Sequence, residues 1–131
     1  MELFDKGTLT SVIFCAALMS AVDGDVDKEE WDVIKNFIND YWSKDFGDFT
    51  KIQSQIAANV KKIMHNRKEM NTKLNKLVKI LQSKLTTRQK EVLLRLVEEV
   101  MMADRKISPK EEKLLDQLIT IMDMMEQQDL R

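Results

Sequence analysis

The sequence predicts an all-α fold, a compact bundle of about six helices, and three observations carry that expectation. Three glycines and one proline in 131 residues are too few turn formers for a sheet-rich chain. A single cysteine, Cys15, supplies no disulfide framework. Apolar residues recur at three- and four-residue spacing along almost the whole chain. Hydrophobic residues make up 44% and charged residues 33%, the balance of a solvated shell around a real core and not of a disordered chain. The length is that of one domain, 1–131, able to bury roughly two-thirds of the surface its unfolded chain exposes.

The first helix, about Thr10 to Val22, is apolar on nearly every side: Leu9, Val12, Ile13, Ala16 and Ala17 share one face, and Phe14, Leu18 and Ala21 fill much of the rest. Such a helix is wrapped by others and belongs at the centre. After the turn Asp23-Gly24-Asp25-Val26, Asp27 is a good N-cap with Glu30 three residues on, and Val33, Ile34, Phe37, Ile38 and Tyr41 make a second, amphipathic helix. Trp31 and Trp42 flank its apolar face. The stretch 43–48 has turn composition, and Ile52, Ile56, Val60 and Ile63 then place a third helix running to about His65. Met70, Leu74, Leu77 and Leu81 place a fourth that ends near Leu85. Thr86 and Gln89 form a capping box for a fifth helix built on Leu93, Leu96, Val97, Val100 and Met101. Ser108, Pro109 and Glu111 supply the cap, the proline at the first helical position and the reciprocal glutamate of a sixth. Leu114, Leu115, Leu118, Ile119 and Met122 carry it, and its polar end, from Met124, is expected to fray.

The first two helices and the last two are copies of one unit. Adding 81 to the numbers of the first hairpin turns Asp23 into Asp104, Asp27 into Ser108 and Glu30 into Glu111. The core positions follow, with Val33 matched by Leu114, Phe37 by Leu118 and Val12 by Leu93. A single hairpin cannot bury both its faces, so the fold class sharpens to two pseudo-symmetric helical hairpins, about 10–42 and 88–122, joined by a two-helix, lysine-rich middle.

Both loops read Asp, two variable residues, an aliphatic, three residues, then Glu. The runs Met19-Ser20-Ala21-Val22-Asp23-Gly24-Asp25-Val26-Asp27-Lys28-Glu29-Glu30 and Met102-Ala103-Asp104-Arg105-Lys106-Ile107-Ser108-Pro109-Lys110-Glu111-Glu112 resemble the two signature hairpins of TerB-like domains. That family takes in tellurite-resistance TerB and the TerB-like domain of a DnaJ-type membrane chaperone. The resemblance implies an all-α fold, an acidic surface patch built from the loops and a role in metal-ion or stress responses, and it does not imply an enzyme; the leading reading is a non-enzymatic module that presents this acidic surface to a protein partner. Carried over by position, its acidic residues are Asp23, Glu30, Asp104 and Glu111. The second loop departs from the pattern: Arg105 stands where the first has Gly24, and Lys106 adds a further positive charge.

The first loop is also the better cation candidate on its own chemistry. Asp23, Asp25 and Asp27 alternate ahead of Glu30, a set of oxygen donors suited to a divalent cation such as Ca²⁺ or Mg²⁺. It is not an EF-hand, because Lys28 and Ile34 occupy the places of that loop's glycine and bidentate glutamate. A competing account needs no ligand: Asp27 and Ser108 cap helices, and Glu30 and Glu111 close the capping boxes. No other cofactor is indicated.

Charge is unevenly spread. Residues 1–43 carry a net −6, residues 44–84 a net +7 and residues 85–131 a net −2. The middle block supplies an alternative reading, in which Lys61, Lys62, Arg67, Lys68, Lys73, Lys76 and Lys79 form a basic surface for nucleic acid or an anionic membrane. No aromatic or glycine pattern of a nucleic-acid module accompanies these lysines, and charged runs on amphipathic helices are commonly the solvated face. Enzymatic chemistry has less support still: the sequence shows no phosphate loop or metal-activating histidine cluster, and the one histidine, His65, is on a different helix from Cys15. The apolar run 12–22 is shorter than the roughly 18 residues of a membrane span, and residues 1–6 do not resemble a secretory signal, so the cytoplasm is the expected location.

Overall fold

The computed structural model describes residues 3–21, 26–103 and 109–129, with side chains through 120. Six helices follow in order: α1 (Lys6–Ser20), α2 (Lys28–Tyr41), α3 (Phe49–Met64), α4 (Arg67–Lys84), α5 (Thr87–Met102) and α6 (Pro109–Asp129), with a short 3-10 turn at Lys44–Phe46. The all-α bundle expected from the sequence is the one observed.

α1 begins four residues before the expected Thr10, because Asp5 caps it: the Asp5 Oδ1 accepts from the Thr8 backbone N–H at 2.7 Å. That bond, with the charge it satisfies, holds the Asp5 carboxyl below its ordinary value. The helix is central, as its all-round apolar surface requires: Leu9, Val12, Ile13, Cys15, Ala17 and Leu18 are all fully buried. It packs against α4, α5 and α3 and more lightly against α2 and α6. The segment ahead of it is pinned at two points. The Gln89 Nε2 donates to the Leu3 carbonyl at 2.6 Å, and the Phe4 ring meets Phe37 and Tyr41 of α2 edge-on, with centroids 6.4 and 5.7 Å apart.

Local signals set the remaining boundaries. Asp27 and Glu30 form the α2 capping box, Thr86 and Gln89 the α5 box, and Asn66 caps α4 by accepting from the Glu69 N–H at 3.2 Å. Between α2 and α3 the chain turns at Gly47, whose φ of 94° is favoured only for glycine. The Trp42 indole N–H donates to the Gly47 carbonyl at 2.8 Å, and its ring stacks edge-on against Phe46. At the other end, α6 does not fray at Met124 but continues to Asp129. Met, Glu and Gln are all good helix formers, so the polar tail extends the helix it was expected to leave.

The two hairpins pack α1 against α5, and α2 lies along α5. The equivalent approach of α6 to α1 is much lighter, and the most extensive contact of α1 is with α4. The internal repeat therefore holds at the core positions but is broken in how the outer helices seat. Val12 and Leu93, Ala16 and Val97, and Phe37 and Leu118 are buried in both copies.

Candidate functional site

Of the acidic residues singled out in the sequence, Asp27, Glu30 and Glu111 lie within the described structure. Asp23, Asp25 and Asp104 fall outside the described residues, as does Ser108, the expected cap of α6. Asp27 sits at the start of α2, where its Oδ1 accepts from the Glu30 N–H at 2.9 Å. Glu30 returns the bond, its Oε1 accepting from the Asp27 N–H at 3.0 Å. The capping account of these two residues is thus correct as far as it goes.

Glu30 does more than cap. It is 4% exposed, and its second oxygen, Oε2, accepts from the Ser20 hydroxyl at 2.6 Å. That bond ties the end of α1 to the start of α2 across the loop between them. Glu111, the equivalent residue in the first turn of α6, is also buried. The fold brings the two glutamates near enough for the Glu111 charge to act on Glu30. Burial is the main cause that pushes the Glu30 carboxyl up to about 7, with Asp27 and Glu111 adding repulsion and the bonds from Ser20 and Asp27 opposing it. A carboxyl so placed takes up and releases its proton near neutrality. Carboxylate oxygens keep spare lone pairs after two hydrogen bonds, so the pair retains the hard donors that a divalent cation takes. Among the described residues, no group of three or more His, Cys, Asp or Glu is assembled around one point.

The basic residues of the middle helices are all exposed. Lys61 and Lys62 end α3, and Arg67 and Lys68 open α4. Lys68, Lys73 and Lys76 line a shallow hollow with Asn66, Glu69 and Thr72. Lys79 points elsewhere, into the space between α4 and α6.

Two residues with unexpected placements were not singled out in the sequence. Ser20 is buried at the end of an apolar helix, and its hydroxyl had no local signal to mark it as the partner of Glu30. Lys90 is 1% exposed in α5. Its match under the 81-residue offset is Leu9, a core residue, so the repeat did carry a signal for its burial. Cys15 is buried, and desolvation pushes its thiol up to about 12, which leaves it protonated and unreactive. His65 is exposed just beyond α3. No helix among the described residues is long and apolar enough to cross a membrane.

Comparison with known proteins gives no significant match among curated proteins or solved structures. A family model, described as tellurite resistance protein TerB, matches residues 9–129, nearly the whole chain. The match runs through both hairpins and also through the lysine-rich middle that joins them. TerB is not a known enzyme family. With the glutamates of both hairpins buried and the family model spanning the six helices, this chain belongs to the TerB family.

Proposed function

We propose that this chain is a non-enzymatic TerB-family module in which the junction of its two hairpins binds a divalent cation, Ca²⁺ or Mg²⁺, and presents an acidic loop surface to a protein partner in a metal or stress response. The observation that carries this reading is that Glu30 and Glu111, the equivalent glutamates of the two hairpins, are both buried, and that burial first, with the charges of Asp27 and Glu111 adding to it, pushes the Glu30 carboxyl up to about 7. Two like charges out of water are costly, and a cation between them turns the repulsion into attraction. Asp27 and the loop residues Asp23, Asp25 and Asp104 lie close in sequence to this pair and would supply further oxygen ligands.

Calorimetric titration of metal-stripped protein with Ca²⁺, Mg²⁺, Mn²⁺ and Zn²⁺ tests the reading. One saturable event is expected, weakened by Glu30→Gln with Glu111→Gln and by Asp23→Asn with Asp25→Asn. Below neutrality, binding should release protons, since the cation competes with the Glu30 proton. No saturable heat from any ion overturns the cation reading and leaves these residues as helix caps.

The alternative reading, a basic surface for nucleic acid or anionic lipid, draws support from the hollow of Lys68, Lys73 and Lys76. Binding to a polyanion that weakens steeply with salt, and that is lost on Lys73→Glu with Lys76→Glu, would favour it over the acidic face.

A further inference from the structure

α6 stands off from α1, and the space it leaves is a groove along α4. At its deepest point is a cavity of about 170 Å³ whose floor is Met19, Leu74, Val78, Leu114 and Leu118. That is close to the volume, about 150 Å³, of an apolar protein cavity that takes up benzene. One leucine or phenylalanine side chain fits it. The groove continues along α6, with Asn75 of α4 and Gln117 of α6 lining it on opposite walls throughout.

Among the described residues, the charged ones lining the two inner stretches are lysines from both walls: Lys79 on α4, and Lys110 and Lys113 on α6. Glu112 and Asp116, together with Lys113, line the wider, more open outer stretch. The internal repeat shows that these lysines are not demanded by the hairpin itself. Under the 81-residue offset, Lys110 and Lys113 match Glu29 and Asp32 of α2, so the same helix face is acidic in one copy and basic in the other. The seating differs as well, since α2 lies along α5 where α6 leaves the groove.

We infer that the α4–α6 groove is a docking site for an acidic amphipathic helix of a partner protein, one apolar side chain of which fills the cavity while flanking carboxylates meet Lys79, Lys110 and Lys113. The observations fit that occupant in three ways. A trough between two helices accepts a third laid along it. An apolar floor with a polar rim is the pattern of an anchored interface. Positive walls favour an acidic partner and disfavour a basic one. Neither Glu30 nor Glu111 lines the groove, and docking there does not require a cation.

The probe is a fluorescein-labelled designed helix with a leucine stripe flanked on both sides by glutamate. One twin carries lysine flanks and another has alanine in place of the leucines. Anisotropy titrations use the full chain and two surface variants, Lys79→Glu/Lys113→Glu and the groove-filling Asn75→Trp, each checked for helix content. The glutamate probe should bind the wild type saturably and lose about tenfold or more in affinity on either variant or on leucine removal. The lysine twin should instead prefer the charge-reversed variant. The inference is overturned if the glutamate probe does not bind, if it binds the variants as well as the wild type, or if both flank charges bind the wild type equally. Sedimentation is run alongside. A wild-type dimer that becomes monomeric in Lys79→Glu/Lys113→Glu, with no probe binding, would assign the groove to a second copy of this chain and overturn the partner.

Discussion

Replacing Glu30 with glutamine separates the cost of its charge from its hydrogen bonds. In the folded chain this carboxyl titrates near 7, against 4.5 for an ordinary glutamate. Between those two values the folded state holds a proton that the unfolded state has released. Stability attributable to Glu30 is therefore fully present below about pH 4.5 and is lost as pH rises through about 7. At 1.36 kcal/mol per unit the whole displacement is worth at most about 3 kcal/mol, and solvent screening at the rim of the site reduces this to about 2. Glutamine keeps an oxygen to accept from the Asp27 N–H and gains an N–H to donate to the Ser20 hydroxyl, so the network at 3.0 and 2.6 Å has a neutral equivalent. The assay is urea unfolding of wild type and Glu30→Gln in chelator, from pH about 5 to about 8. Groups common to both proteins cancel in the difference. The two should be nearly equal at the acid end, and the variant about 2 kcal/mol more stable at the basic end, a midpoint shift on the order of 1 M urea. A difference that stays flat with pH, or that moves in favour of the wild type as pH rises, would refute the assignment of a buried, repelled carboxyl at Glu30.

Three further outcomes follow from the same structure. Asp27→Ala removes the acceptor of the Glu30 N–H at the α2 start and should cost about 1 kcal/mol in chemical denaturation, with Thr86→Ala at the α5 start costing a similar amount. Leu18→Ala, at a fully buried position on the central helix, should lower stability by about 2 to 5 kcal/mol, while Ile80→Ala, 52% exposed on α4, should stay within about 0.5 kcal/mol of wild type. Cys15 should resist a thiol-specific reagent in the native protein at pH 8 and react only on unfolding, so that its modification rate follows the unfolding equilibrium.

Much of the candidate site was legible because its parts are local. The capping box of Asp27 and Glu30 is an i to i+3 interaction, fixed by residue type at the edge of an apolar run, and the 81-residue offset extended the pattern to Glu111 without any knowledge of the fold. The same logic placed Thr86 and Gln89. It could not say that Glu30 also receives the Ser20 hydroxyl, since Ser20 reads as one small residue in an apolar helix. Nor could charge counting show that Lys79 leaves the other lysines of α4 to line a groove. Successive lysines on a helix turn about its axis, and which of them share a surface depends on the neighbour that each side meets.

The sequence by itself determined the class of fold, the repeat and the boundaries of most helices, because helix formation, capping and amphipathic spacing act over three or four residues. Tertiary structure alone decided which of these equivalent pieces meet. It brought the charge of Glu111 to act on Glu30 across 81 residues of chain, buried Lys90 where its counterpart is Leu9, and seated α2 along α5 while α6 meets α1 only lightly. The hydrophobic effect that drives this packing is proportional to buried area and has no direction, so an apolar face specifies that a helix must be covered but not by what. Here α1 packs chiefly on α4 and only lightly on α6 while α2 lies along α5, so the symmetry of the repeat is broken and a groove is left between α4 and α6.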